Sequence, residues 1–107
     1  MGKLTGRNET MIRVSVLYPK PGTFDFDYYK NQHMQLVHRL LDPCGLVESE
    51  VNRGVGDSPY LAVGHLVFKT VEDMQKALEA HDPEMAADVV NFSDIQPQFQ
   101  ISEILDK

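Results

Sequence analysis

The sequence predicts a single α+β domain in which strands and helices follow the order β-α-β-β-α-β. Three observations lead to this prediction: four segments have the apolar patterns of strands, two have helical periodicity, and glycine- or proline-containing turns separate them. The chain has 107 residues, of which 42% are hydrophobic, and this is enough for the modest core of one domain. With a four-stranded antiparallel sheet, this order is the ferredoxin-like fold.

The first strand is predicted over residues 11–18, where apolar and polar side chains alternate. Pro19 and Pro21 end it, because proline cannot donate to a sheet ladder. The preceding residues 1–10 are polar and aperiodic, so we expect a disordered leader or tag there. The domain is therefore expected to span residues 11–107.

The first helix is predicted to begin at Asp25, whose carboxylate can accept from the unpaired N–H groups of the first turn. Phe24 and Tyr29 are spaced for a hydrophobic staple across this cap. Pro43 ends the helix, because its ring disfavours a helical residue before it. His33 stands where a leucine would be expected in the apolar stripe, which comprises Phe26, Tyr29, His33, Leu36, Val37, Leu40 and Leu41.

The next two strands are predicted over residues 46–52 and 60–68, joined by a glycine-containing hairpin loop. Glu48 and Glu50 alternate with valines in the first of these, which favours an edge position or a wetted face. The second is apolar on both faces, as in a strand covered from both sides. The loop lacks the glycine patterns of phosphate-binding motifs.

The second helix is predicted over residues 71–81, with Thr70 as its N-cap. Asp82 and Pro83 have the pattern of a new helix start, which predicts a short third helix over residues 84–90. The last strand is predicted over residues 98–105. The side chains expected to face inward from the second helix are Val71, Met74, Ala77 and Leu78.

The apolar strand over residues 60–68 also indicates that two copies of the chain associate. Two helices can cover only one face of a four-stranded sheet, and an exposed apolar patch on the other face is rare in a monomer. A second subunit packed sheet to sheet is the simplest cover, so we expect a homodimer.

Composition excludes several classes of partner. The net charge of −6 disfavours binding to nucleic acid and to anionic membrane surfaces, both of which attract basic proteins. No apolar run approaches the roughly 20 residues of a membrane span, and no signal-peptide pattern precedes the first strand. Cys44, the one cysteine, cannot form an internal disulfide and suits a reducing compartment, so a cytoplasmic location is expected.

Three residues are candidates for chemistry. Tyr29 and His33 lie at positions i and i+4 of the stripe that should face the sheet. A neutral His33 could act as a general base, and the Tyr29 phenol could orient a substrate or stabilise an enolate. His65, in the middle of the third strand, is a further candidate if it faces that helix, which strand parity does not settle. This set suits cofactor-free proton abstraction next to a carbonyl.

The alternative interpretation is structural. All three residues could be core side chains whose polar atoms bond to backbone carbonyls. His38 should lie about 140° around the helix from His33, on the solvated face, and His81 should complement the dipole at the end of the second helix. The sequence contains no pattern typical of metal ligands, so no metal or cofactor is expected, and no partner is evident for Cys44 or Ser15 as a nucleophile.

Four segments together resemble the EthD family: M-I-R-V-S-V-L-Y-P over residues 11–19, F-D-x-D-Y-Y-x-x-x-H-M over residues 24–34, Y-L-A-V-G-H-L-V-F over residues 60–68, and N-F-x-D-I-x-P-x-x-Q-I-S-E over residues 91–103. This resemblance implies a dimeric α/β barrel, in which two ferredoxin-like sheets meet across a dimer. The family is named for a protein associated with a cytochrome-P450 system for ethyl tert-butyl ether degradation. The wider superfamily includes lactone isomerases, polyketide cyclases and haem-degrading monooxygenases, the last disfavoured here because the chain has no tryptophan.

Two hypotheses for function follow. The first is a cofactor-free enzyme of the isomerase or cyclase type, acting on a small hydrophobic carbonyl or phenolic metabolite with His33 as base. The second is a non-catalytic module that binds a hydrophobic ligand or supports an oxygenase or degradation pathway. A solvent-connected cavity at His33 would favour the first.

Overall fold

A computed structural model of the protein describes residues 10–106. Nearly all of the predicted leader, residues 1–9, lies outside this range. The strands are β1 (Ile12–Pro19), β2 (Leu46–Arg53), β3 (Tyr60–Phe68) and β4 (Gln98–Glu103). Helix α1 consists of the consecutive segments Phe26–Tyr28, Tyr29–His33 and Met34–Leu41, and helix α2 is Val71–Asp88. Single 3₁₀ turns, Asp42–Cys44 and Val89–Asn91, follow the two helices.

The four strands form one antiparallel sheet in the order β2-β3-β1-β4. Within it, Val14 of β1 lies opposite Leu66 of β3 and Ile101 of β4. This arrangement confirms the predicted ferredoxin-like α+β fold, with the two most apolar strands at the centre and the glutamate-bearing β2 at an edge.

Both helices cover the same face of the sheet. Successive side chains of β1 and β3 point to opposite faces of the sheet. Those on the helix-covered face form a core with the two helices. Its fully buried members include Val14, Leu41, Phe68 and Ala77. A second cluster, mainly aromatic, packs at the start of α1 and comprises Tyr18, Tyr29, Ala62, Phe92 and Ile95.

The start of α1 follows the prediction. The Asp25 carboxylate accepts from the backbone N–H of Tyr28, which confirms it as the N-cap. The rings of Phe24 and Tyr29 meet edge to face with centroids 4.9 Å apart, as a hydrophobic staple requires. Thr70 likewise caps α2 by accepting from the N–H of Asp73.

The predicted break between a second and a third helix is wrong. Helix α2 continues through Pro83 to Asp88. Pro83 and Glu79 are both exposed, so water can satisfy the Glu79 carbonyl that loses its helical donor. Met85, two residues after Pro83, is buried in the core and packs the continued helix against the sheet. His81 therefore lies inside the helix rather than at its end.

Two smaller expectations also fail. Val71 was expected to face inward, but it is exposed at the first position of α2. Strand β4 ends at Glu103 rather than residue 105. Among residues 10–106, no helix is both long and apolar enough to cross a membrane.

Candidate functional site

The middle of α1 is a π-helical turn over Tyr29–His33, in which the N–H of Met34 bonds to the carbonyl of Tyr29. In a regular α-helix, residues five apart lie about 140° apart around the axis. The wider i→i+5 turn reduces this angle, so Tyr28 and His33 can point to one place. Both side chains reach the carboxylate of Asp88, in the last turn of α2.

The Asp88 carboxylate is held by three side chains. His33 Nδ1 lies 2.8 Å from Oδ2, while Oδ1 accepts from the Tyr28 hydroxyl at 2.7 Å and from Asn91 Nδ2 at 2.9 Å. Little of this pair meets solvent, because only 8% of the His33 side chain and 15% of the Asp88 side chain are exposed. Burial acts to raise the pKa of Asp88, but the hydrogen bonds from His33, Tyr28 and Asn91 outweigh it and hold that pKa below its ordinary value.

The ionised Asp88 determines which nitrogen of His33 carries the proton. A carboxylate only accepts hydrogen bonds, so Nδ1–H must be the donor to Oδ2. In the neutral imidazole, Nε2 is then the acceptor nitrogen, the form that a general base needs.

His33 forms part of the wall of a cavity of about 460 Å³, which lies between the helices and the sheet. Most of the wall is apolar, including Val14 and Leu66 of the sheet and Met85 of α2. Asp82 and Asp94 are its acidic members, and no lysine or arginine occurs among the described residues that line it. Its volume is in the range of small-molecule sites.

Tyr29, the predicted partner of His33, contacts the histidine but does not line this cavity. Its ring stacks on the His33 imidazole at a centroid distance of 5.8 Å, and its hydroxyl lies over Gly64 of β3, where any side chain would collide with it. Burial raises the pKa of Tyr29, so the phenol stays neutral. Its ring contact with His33 places it beside the imidazole rather than in the cavity.

His65 lies on the opposite face of the sheet from His33. It pairs with Ser15, and its Nδ1 lies 2.9 Å from the Ser15 hydroxyl, whereas the neighbouring Val14 and Val16 line the His33 cavity. Burial lowers the pKa of His65 and the Arg13 charge lowers it further, against a smaller opposing effect of Glu50. The structure therefore brings Tyr29 and His33 together and leaves His65 apart.

His38 is less solvated than expected, because it is half-buried between α1 and the edge strand β2. Its Nδ1 lies 2.8 Å from Asp42 Oδ1, and its Nε2 lies 2.7 Å from Ser49 Oγ. Cys44 is a free thiol that donates to the carbonyl of Leu40. Within residues 10–106, no group of three or more potential ligands could hold a metal ion.

Sequence reasoning missed Tyr28, Asp88 and Asn91. Asp88 and Asn91 share the spacing of a helical turn, but nothing in that local pattern connects them to His33, 55 residues earlier. Tyr28 is five residues from His33, a spacing that argues against a shared partner unless the π turn is known.

A model of the EthD domain matches residues 23–96, more than half of the chain. The protein belongs to the EthD family. The matched segment begins just before α1 and ends after the Val89–Asn91 turn, so it contains His33, Tyr28, Asp88 and Asn91. The resemblance expected from the sequence is confirmed.

Solved structures agree with this assignment. An EthD-like protein from Ralstonia eutropha JMP134 is 29% identical, with a TM-score of 0.85 over 92% of this chain and 96% of that one. An EthD family protein from Bacillus halodurans C-125 is 24% identical, with a TM-score of 0.69 over 87% of this chain and 97% of that one.

The fold extends beyond the family. SnoaB from Streptomyces nogalater, a cofactor-independent oxygenase, is 11% identical and superposes with a TM-score of 0.67 over 92% of this chain and 96% of that one. This likeness concerns the fold alone. A comparison with curated proteins found no match.

Proposed function

We propose that this EthD family protein is a cofactor-independent enzyme that removes a proton next to the carbonyl of a small hydrophobic compound. Isomerisation and aldol-type cyclisation are the reaction classes that need this step. The observation that carries the proposal is the buried His33–Asp88 pair on the wall of the cavity. The fold occurs in at least one cofactor-independent enzyme, the oxygenase SnoaB, which is compatible with catalysis without a cofactor.

The cavity wall favours an uncharged carbonyl or phenolic substrate. Its apolar residues would remove a hydrophobic ligand from water, which is the main favourable contribution to binding such a compound. Asp82 and Asp94 would repel a carboxylate or phosphate, and no basic side chain among the described lining residues would pair with one. Acidic metabolites are therefore disfavoured.

The reaction needs three things: a base, residues that hold the base in position, and a hydrogen-bond donor that stabilises the enolate. His33 Nε2 takes the proton, and Asp88 stabilises the imidazolium that forms, while Tyr28 and Asn91 hold the carboxylate in place. Gln96 lines the same cavity, and we assign its amide as donor to the enolate oxygen. His33 returns the proton to the product.

The test uses 2-indanone as an uncharged ketone and follows deuterium incorporation at its α-carbon in D₂O by NMR. We expect His33→Gln to slow the protein-dependent exchange by about 10²–10⁴-fold, the usual contribution of a general base. His81→Gln, a matched change on α2 at a residue that does not line the cavity, serves as the control and should leave the rate unchanged. Equal exchange rates in wild type and His33→Gln would contradict the proposal.

A non-catalytic role as a ligand carrier or auxiliary protein of an oxygenase or degradation pathway is the second candidate. It is favoured by the mostly apolar cavity wall, which would bind a hydrophobic ligand whether or not His33 reacts. Binding of 2-indanone without catalysed exchange in the wild-type protein would support this role.

We also propose that the protein is a cytoplasmic homodimer, joined through the sheet face that carries Val63 and His65. The free thiol of Cys44 is consistent with a reducing compartment. Substituting Val63→Asp places a charge in the proposed interface, and we expect it to convert the dimer to a monomer in light scattering after size-exclusion chromatography. Wild-type protein that elutes as a monomer would contradict this assembly.

A further inference from the structure

A second histidine forms a three-residue arrangement on the edge of the domain, separate from the His33 cavity. Asp42 Oδ1 lies 2.8 Å from His38 Nδ1, and His38 Nε2 lies 2.7 Å from Ser49 Oγ. Asp42 is a carboxylate acceptor, so in the neutral imidazole Nδ1–H donates to it and Nε2 accepts from the Ser49 hydroxyl. The same hydrogen bonds occur in catalytic triads, where a histidine activates a serine nucleophile and an aspartate orients that histidine.

Two local features bring the three residues together. His38 and Asp42 are four residues apart at the end of α1, so their side chains lie on one face. Strand β2 has a register shift between Leu46 and Glu48, where one extra residue is accommodated. Without this bulge the alternation would place Ser49 on the opposite face. With it, Ser49 lies opposite Leu66 and points to the helix side.

The arrangement opens onto a groove with room for a small ligand. The groove has a volume of about 360 Å³ and runs between α1 and the edge of the sheet. Met34 and Val51 provide apolar surface, while Lys30 and Gln35 provide hydrogen-bond donors. It is thus lined by a hydroxyl, an imidazole, apolar side chains and two side chains with N–H donors.

We infer that Asp42, His38 and Ser49 form a second reactive site, which transfers the acyl group of small uncharged esters to water. Ser49 Oγ forms a bond to the carbonyl carbon while His38 Nε2 takes the hydroxyl proton. The bond to the leaving oxygen then breaks, and that oxygen receives the proton from His38. Water attacks the resulting acyl-serine, gives its proton to His38, and releases the acid as Ser49 recovers a proton.

The roles within this site differ. Ser49 and His38 are the catalytic residues, because they touch the reacting atoms. Asp42 is a positioning residue that selects the imidazole tautomer. Lys30 and Gln35 are the donors we assign to the oxyanion that forms when Ser49 attacks. Because Lys30 and Glu50 both line the groove, neither charge sign of substrate is favoured, which suits a neutral ester.

The experiment measures modification of the full-length protein by diisopropyl fluorophosphate, a reagent specific for activated serines, with peptide mass spectrometry to locate the adduct. We expect the adduct on Ser49 in the wild type and its loss in Ser49→Ala. His38→Gln retains a side chain that can hydrogen-bond to Ser49 but cannot take its proton, and it should slow labelling by about 100-fold or more. Ser102→Ala removes a serine outside the site and should label as the wild type does.

Thermal melting of each variant separates chemistry from folding. If the wild type remains unlabelled at Ser49, the arrangement only bridges α1 to β2 and the inference is overturned. The same conclusion follows if His38→Gln labels at the wild-type rate while melting normally. Hydrolysis of p-nitrophenyl acetate, lost in Ser49→Ala and retained in Ser102→Ala, provides the matching measurement of turnover. None of these outcomes depends on His33.

Discussion

Residues 10–106 contain two histidine–aspartate pairs that share one contact distance and differ in their surroundings. In both, an Nδ1 atom lies 2.8 Å from a carboxylate oxygen. The His33–Asp88 pair joins two helices and is 8% and 15% exposed, whereas the His38–Asp42 pair lies at i,i+4 and is 39% and 56% exposed. We therefore expect the same contact distance to contribute differently to stability at the two places.

Solvent and additional donors cause the difference. Around His38 and Asp42, water and salt screen the interaction, and exposed pairs of this kind usually contribute little. Around Asp88, little water competes, and the hydroxyl of Tyr28 and the amide of Asn91 occupy the same carboxylate. Removing Asp88 therefore leaves the buried His33 imidazole without its acceptor and also releases the half-buried Tyr28 hydroxyl and the exposed Asn91 amide. An unpaired buried polar group is costly.

The largest effect on stability is expected from Asp88→Ala. It removes the acceptor of three side-chain hydrogen bonds in the described structure, and we expect the free energy of unfolding to fall by about 2–4 kcal/mol. Urea denaturation at pH 7 measures this value. A loss comparable to that of Asp42→Ala would show that the two pairs contribute equally to stability and would contradict this prediction.

An effect of intermediate size is expected from acid, which should remove the contribution of Asp88 to stability. Because the pKa of Asp88 is lowered in the folded state, its contribution is fully present above the ordinary aspartate pKa of about 3.9 and is lost as the pH falls through the lowered value. We expect the stability difference between wild type and Asp88→Asn to shrink as the pH falls from about 4 to about 2. Urea denaturation across this range checks it, and a difference that grows in acid would contradict the sign.

The smallest effect is expected from Asp42→Ala. Removing an exposed i,i+4 partner should change the free energy of unfolding by less than about 1 kcal/mol, and 1 M NaCl should reduce that change further. The same denaturation experiment, with and without salt, measures it. A salt-insensitive loss above this range would mean that Asp42 supports the join between α1 and β2 through His38 and Ser49.

The local features of this protein could be predicted from its amino-acid sequence. The caps at Asp25 and Thr70, the staple between Phe24 and Tyr29, and the apolar periodicity of β3 depend on residues a few positions apart. Such interactions are readable because their geometry is fixed by the regular rise and rotation of one element. They were sufficient to predict the element order, the sheet topology and His33 as the leading candidate.

The hydrogen-bond partners around His33 could be found only from the tertiary structure. Asp88 reaches His33 only because α2 continues through Pro83, and α2 continues because Met85 is buried against the sheet. The π turn brings Tyr28 to the same carboxylate, and the bulge in β2 turns Ser49 toward His38. Each of these depends on packing between elements distant in the chain, and local periodicity carries no record of such contacts.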